Sequence, residues 1–387
     1  MLLHNEDQQM LADSAQRYLE RGYSSAARMA ATADAQGCPP ARWAEFAELG
    51  WLALPIPAEA AGAAGLGGSV ADLCALAEPL GQALVVEPWL ASAVLGAGLL
   101  ADAAPADLAN EWLPALAAGR RRIALAAFEP ASRFDIGGVA CVASAQADGG
   151  FLLHGDKALT PGADGADAWL MLAGLSHADP SKPRELGLFL VDAATPGARA
   201  QPGVLVDGQH AATIHLDGAR VAAPLKRGPA DEMLSMVERS LDRATLVQGA
   251  ELVGAMAQAL KITLAYLKTR RQFGRAIADN QVVQHRLVDL HVEIEEARAI
   301  TRAAAVTFDS GDDAARRRWC AAAKACVAQA ALHVWEESVQ LHGAIGMTEA
   351  CEIGAYVKRL AVGTMLYGDL PFHLDRLADL SLAATPA

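Results

Sequence analysis

Aromatic side chains are scarce, at 5% of 387 residues, and basic residues are outnumbered, with 32 Lys and Arg against 45 Asp and Glu. A net charge of -13 argues against nonspecific binding to nucleic acid, which needs cations to displace counterions from phosphates. It leaves room for a local basic patch facing a polyanionic small ligand. The six cysteines form neither a C-x-x-C pair nor a zinc-ligand spacing, so no metal site is expected. Cys320 and Cys326 lie in an alanine-rich helical run and read as small buried thiols. The opening MLLHNEDQQM has acids in place of a basic region and a long apolar core, unlike a secretory signal. Alanine-rich stretches are broken by charges and turns, so no transmembrane span is expected and the cytoplasm is the expected compartment.

What is present is a chain able to bury a large core. Hydrophobic residues make up 53% and charged residues 20%, as in folded globular proteins, and the length suggests two to three domains. Residues 5–30 have helical spacing, with Leu11, Ala15 and Tyr18 on one face. Further helical patterns follow Pro39-Pro40, the GLGGS loop at 65–69, and residue 90. From about 120 the pattern changes to short strand candidates separated by Gly, Asp and Pro turns: RIALAAF, VACVA, FLLHGDK, AWLMLAG, LGLFLVD and ATIHL. The last third is helical again. Long segments run from Asp231 to Arg270, from Gln281 to about Phe308, and from the SGDD junction to Gln340, with a fourth beyond LHGAIG. The expected domains are a helical one over 1–119, a β domain over 120–227, and a helical bundle over 228–387.

Three segments sharpen this order. YLKTRRQFGRAIADNQVVQHRLVDL at 266–290, LHGAIGMTEACEIG at 341–354 and YGDLPFHLDRLA near the end resemble the flavin-dependent acyl-CoA dehydrogenase family. With AELVGAM, the set is similar to the small subunit of pimeloyl-CoA dehydrogenase and to subunits of heteromeric steroid-side-chain acyl-CoA dehydrogenases. The resemblance implies an acyl-CoA dehydrogenase-like fold with an N-terminal helical domain, a central β domain and a C-terminal four-helix bundle. It implies FAD as cofactor, an acyl-CoA substrate and electron-transfer flavoprotein as acceptor. It also implies a homotetramer or a heterotetramer with a related chain.

It further implies site residues. Arg270 matches an arginine beside the FAD pyrophosphate, where a guanidinium pairs with two phosphate oxygens. Phe273 falls in a flavin-positioning turn, and Gln281 matches a glutamine that reaches the neighbouring subunit's flavin. Gln340, Gly343 and Ala344 align with a second flavin-contacting stretch, Ala344 replacing the second of two glycines. On the residues alone, Arg270 sits in a basic helix end with Lys268, Arg271 and Arg275, Gly274 reads as a helix stop, and the polar residues read as surface. The β domain departs from the family's T-E-P-x-x-G-S-D and K-x-W-I-T patterns. Phe128, Arg133 and Phe134 replace the usual residues around Glu129-Pro130, and Lys157-Ala158-Leu159-Thr160 lacks the tryptophan while Thr160 remains a candidate flavin contact. Trp169 is displaced and reads as a strand or interface residue.

The catalytic base is the largest departure. Gly368 stands where many relatives have a terminal glutamate, Asp369 is one residue late, and Ala244 stands where branched-chain relatives place a glutamate. Glu251 lies two helical turns beyond Ala244 on nearly the same face, amid small and apolar neighbours. Such surroundings would raise the basicity of a carboxylate and suit it to accept the substrate Cα proton. The competing readings are a buried pair with an arginine, or a base supplied by another chain. Arg243 is a candidate for engaging a carboxylate or the thioester side of the substrate. The expected activity is α,β-dehydrogenation of an acyl-CoA to a 2,3-enoyl-CoA, with a bulky, steroid-side-chain or dicarboxylic acyl group. The alternatives are a flavin monooxygenase or oxidase on this fold, or a noncatalytic partner chain.

Overall fold

The computed structural model describes residues 4–60, 65–176, 184–348 and 350–383. The chain falls into two compact units, one of Met1–Arg28, Ser69–Val85 and Thr245–Ala387, the other of Met29–Gly68 and Val86–Ala244.

The N-terminal third is helical: α1 (Glu6–Gly22), α2 (Ser25–Ala33), α3 (Pro40–Glu48), α4 (Val70–Ala83), a π-type segment at Trp89–Ala97, α5 (Gly98–Ala103) and α6 (Ala106–Ala117). The single helical pattern over 5–30 is two helices. Tyr23 leaves helical geometry at φ -117°, and the Ser24 hydroxyl accepts from the Ala27 N–H at 3.2 Å. Capping boxes start α1 and α4, where Asn5 pairs with Gln8 and Ser69 with Asp72.

The second unit holds an eight-stranded mixed sheet of β1 (Ile123–Ala126), β2 (Val142–Ala145), β3 (Phe151–Pro161), β4 (Ala168–Leu175), β5 (Glu185–Asp192), β6 (Ala198–Val204), β7 (His210–Val221) and β8 (Lys226–Pro229). The main order is β6-β7-β3-β2-β4-β5-β8, with β1 added beside β4. Among the described residues, β1 and β2 alone pair in parallel, both with β4. β4 is buried over its first six residues, as expected of an uninterrupted apolar run covered on both faces. Trp169 is a buried strand residue, its indole N–H donating to the Ala163 carbonyl at 2.9 Å. β6 and β8 were missed in the sequence because ARAQPGV and KRGP lack an apolar alternation, and both lie at the ends of the main strand path.

Helix α7 (Ala230–Thr269) begins in the second unit and continues in the first, followed by the ribbon β9 (Arg271–Gln272) and β10 (Arg275–Ala276). Then come α8 (Gln281–Asp309), α9 (Asp313–His342), α10 (Ile353–Met365) and α11 (Leu370–Ala383), the C-terminal helical bundle. Asp312 caps α9 by accepting from the Ala315 N–H at 3.0 Å. Leu252, Met256, Leu290, Ile294, Val327, Val334, Ile353 and Leu360 form the core, and buried alanines of α9 bring its backbone close to its neighbours. The fourth helical segment is two helices, broken at Leu366–Asp369 where Tyr367 (φ 59°) and Gly368 (φ 109°) are left-handed. Among the described residues, no helix is long and apolar enough to cross a membrane, and no cluster of His, Cys, Asp and Glu is placed to hold a metal.

Candidate active site

Where α7 gives way to the β9–β10 ribbon, a groove of about 660 Å³ opens in the first unit. Its lining includes Arg270, Phe273, Arg275, Gln340, Gly343 and Ala344 and, among the described residues, no carboxylate. The tight ribbon turn puts Phe273 at φ 52° and Gly274 at φ 83°, and the Phe273 ring stands fully exposed at 101%. A non-glycine residue held left-handed stores strain on the order of 1 kcal/mol. Across the groove, α9 ends as Gly343 turns to φ 68°, with open space where a Cβ would stand. That backbone is therefore bare to an approaching ligand. Tyr266 stacks on His342 with ring centroids 4.6 Å apart and donates to its carbonyl at 3.3 Å, fixing the groove's floor. Arg275 pairs with Asn280. Arg270 is exposed, and among the described residues no hydrogen bond or ion pair engages its guanidinium.

Gln281 opens α8 immediately after Asn280, which lines the groove; Gln281 itself is exposed and outside the lining. Thr160 and Arg243 belong to the second unit. Thr160 is buried on β3, its hydroxyl donating to the Ala158 carbonyl at 2.8 Å. Arg243 is paired with Asp102 at 2.7 Å, while its Nε is buried without a partner among the described residues. The surviving Glu129 and Lys157 of the two β-domain motifs form a buried ion pair at 2.6 Å. Glu129 also accepts from the N–H groups of Ala140 (2.6 Å) and Cys141 (3.1 Å). Burial alone would push the Glu129 carboxyl up, but Lys157 and these N–H donors together hold it below the usual carboxylate range.

Glu251 lies on α7 in the first unit, its side chain 12% exposed. Its carboxylate is ion-paired with Arg359 of α10, which is 3% exposed and also donates to the Val85 carbonyl at 2.9 Å. The apolar surroundings of GAELVGAM are thus completed by a cation 108 residues further on, a partner with no local sequence signal. Gln248, one turn before Glu251, accepts from Lys324 at 2.6 Å. The turn that carries the family's terminal base is closed to one here. A Cβ on Gly368 would fall 2.5 Å from His373 Nε2 and 2.6 Å from Phe372 Cδ1. Asp369 is the cap of α11, its Oδ1 accepting from the Phe372 N–H at 3.0 Å. The His373 Nε2–H donates to the Tyr367 carbonyl at 3.0 Å. Burial, reinforced by Lys324, pulls the imidazole down to about 3, so it is neutral at ordinary pH.

The fold has known counterparts. Residues 5–120 match the acyl-CoA dehydrogenase N-terminal domain and residues 234–381 the acyl-CoA dehydrogenase C-terminal domain. The chain is 30% identical to acyl-CoA dehydrogenase IpdE2 of Mycobacterium tuberculosis over 92% of its length and 91% of the relative's. It is 28% identical to acyl-CoA dehydrogenase FadE12 of the same organism, over 81% and 80%. Among solved structures, a variant of the Tcur3481-Tcur3483 steroid ACAD superposes with a TM-score of 0.85 at 29% identity, covering 98% of this chain and 99% of that one. Mixed sheet, C-terminal bundle and matched domains define a flavin-dependent oxidoreductase. The chain belongs to the acyl-CoA dehydrogenase family, whose cofactor is FAD. A groove with an arginine guanidinium that no described residue engages and bare backbone at Gly343 fits the diphosphate end of that cofactor.

Proposed function

We propose that this chain oxidises an acyl-CoA thioester bearing a bulky, steroid-type acyl group to its 2,3-enoyl-CoA, and that it works in a homomeric or heteromeric tetramer. FAD, when bound, supplies the acceptor for the hydride that leaves the thioester β-carbon. Arg270 takes the diphosphate charge, Phe273 and Ala344 give apolar contact, Gly343 gives close backbone approach, and Gln281, Gln340 and Thr160 supply polar contacts. The groove with its open Arg270 beside the bare backbone of Gly343 is the observation that carries this reading. The substrate class rests on the steroid ACAD similarity; the departures at Phe128, Ala158 and Gly368 are compatible with a bulky, branched or dicarboxylic acyl group and do not choose among them. Exposed Phe273 on a strained turn is the kind of surface a second chain covers, in keeping with a shared site.

For the proton, Glu251 is the proposed acceptor at Cα, held in place by Arg359, and electron-transfer flavoprotein is the proposed acceptor of the electrons. Arg243, pinned by Asp102, is the proposed contact for a polar substrate group. A second reading is favoured by the same ion pair: Glu251 is a structural anion that neutralises Arg359, and the base comes from a partner chain. Anaerobic mixing of the FAD-loaded protein with octanoyl-CoA, pimeloyl-CoA and cholyl-CoA tests the proposal, alone and with a co-expressed related chain. Bleaching of the oxidised flavin absorbance fastest with cholyl-CoA supports it. Bleaching with octanoyl-CoA alone contradicts the substrate class. In a parallel aerobic incubation, oxygen-dependent hydroxylation of the acyl group contradicts the reaction.

A further inference from the structure

Lys324 lies in the middle of α9 and is 1% exposed. Its Nζ donates to Gln248 Oε1 at 2.6 Å, the Gly363 carbonyl at 2.7 Å and the Leu366 carbonyl at 3.0 Å. Three acceptors meet the three N–H bonds of an ammonium, whereas a neutral amine has two N–H bonds and leaves one acceptor without a donor. Gly363 lies in the last turn of α10 and Leu366 just beyond it, so the cation also caps a helix C-terminus. The next residues are left-handed Tyr367 and Gly368, the latter at the position of the base in other members. Gln248 is on α7, one turn before Glu251. A single buried cation therefore ties the α7 face carrying Glu251 to the turn carrying Gly368.

Resting on the dehydrogenase reading above, we propose that Lys324 is a positioning residue for the reaction: its ammonium fixes the α7 face of Gln248 and Glu251 against the Leu366–Asp369 turn, and the clamp works in its protonated form. Burial brings Lys324 down to about 7, against the upward pull of Cys320 on its own helix, Glu251 on α7 and Asp369 in the turn. Further charged or titratable groups at this place are Arg359, paired with Glu251, the buried Tyr367 and His373, and Arg376 of α11, which acts on His373. Burial pushes the Tyr367 phenol up and the His373 imidazole down, so neither carries charge near neutrality. The clamp is complete below about pH 7 and loses one of its three bonds as the pH rises through that value.

The test compares wild type, Lys324→Met and Gln248→Glu, all FAD-loaded, with cholyl-CoA as substrate and ferrocenium as acceptor, from pH 6 to pH 9. In wild type kcat falls about threefold through an inflection near 7, with KM nearly constant. Lys324→Met lowers kcat about tenfold at pH 6 and has no inflection, as expected when a reacting group is misplaced. Gln248→Glu puts a carboxylate against the ammonium and moves the inflection up by about one unit or more. Hydrogen exchange, corrected for intrinsic rates, follows the amides of residues 366–373 without turnover. They exchange about tenfold faster in Lys324→Met, and faster above pH 7 than below it in wild type. Superimposable pH profiles for wild type and Gln248→Glu overturn the proposal even if Lys324→Met does not fold. If wild type reduces no flavin with cholyl-CoA, the dehydrogenase reading has failed on that substrate and exchange alone decides the clamp, pH-independent protection of the turn overturning it.

Discussion

Replacing Arg359 by Met isolates the support of the α7 acid from any role in chemistry. The guanidinium is 3% exposed and its partner carboxylate 12%, so the substitution leaves Glu251 charged, enclosed and without its ion pair, and also strips a donor from the Val85 carbonyl. Removing one partner of a buried pair costs about 3–5 kcal/mol, whereas an exposed pair is worth about 1 kcal/mol or less. The lost donor at Val85 belongs to the same site and is not added to that figure. Urea unfolding at fixed protein concentration and saturating FAD reads the difference, because bound cofactor and assembly both shift apparent stability. The double variant Glu251→Gln/Arg359→Met removes the stranded charge and recovers about 2 kcal/mol or more relative to Arg359→Met alone. A cost below about 1 kcal/mol for Arg359→Met, with no recovery in the double variant, refutes the claim that this pair organises the site.

Three further outcomes follow from the same geometry. Gly368→Glu, which restores the family's terminal acid, is destabilised by about 2 kcal/mol or more, because the backbone is left-handed and a Cβ meets His373 and Phe372, and it gains no turnover; thermal unfolding and a steady-state assay check both parts. Arg270→Ala weakens FAD about tenfold or more in equilibrium titration, from loss of a charge-assisted phosphate contact, while the apo protein unfolds at an unchanged temperature. Burial holds Lys324 at about 7 in the folded chain, below the ordinary lysine value of 10.5, so between these the unfolded chain binds the extra proton, and folding stability rises with pH across that window and is lost again as pH falls toward 7. That slope is absent in Lys324→Met, as measured by urea unfolding from pH 6 to pH 10.

Much of this architecture is written locally and some of it is not. The expected ends of the long helices fall close to those of α7, α8 and α9, because Asp312 caps, Gly343 stops, and the apolar spacing runs unbroken between them. β3, β4, β5 and β7 carried their own apolar pattern, while the edge strands β6 and β8 exist through pairing to neighbours rather than through their own residues. The break between α10 and α11 depends on a left-handed Tyr367, which no residue preference announces. At the site, the segments 266–290 and 340–344, linked in the sequence by the family resemblance, both contribute residues to one groove. The partners of Glu251 and Gln248 could not. Arg359 and Lys324 are cations in helices that look ordinary, and only tertiary packing turns them toward α7. Glu129 and Lys157 were legible as motif remnants, but their mutual ion pair was not.

The measurement that bears most directly on the dehydrogenation reading is anaerobic stopped-flow reduction of the FAD-loaded assembly by cholyl-CoA, comparing wild type with Glu251→Gln. The substitution keeps side-chain size and removes the ionisable acceptor. With Glu251 as the base, the variant retains FAD and binds the thioester, while its flavin reduction slows by at least about a hundredfold, the scale of one general base. Undiminished reduction in Glu251→Gln contradicts the assignment of proton abstraction to this chain, and absence of reduction in wild type with every acyl-CoA tested, with and without a related chain, contradicts the proposed dehydrogenation itself.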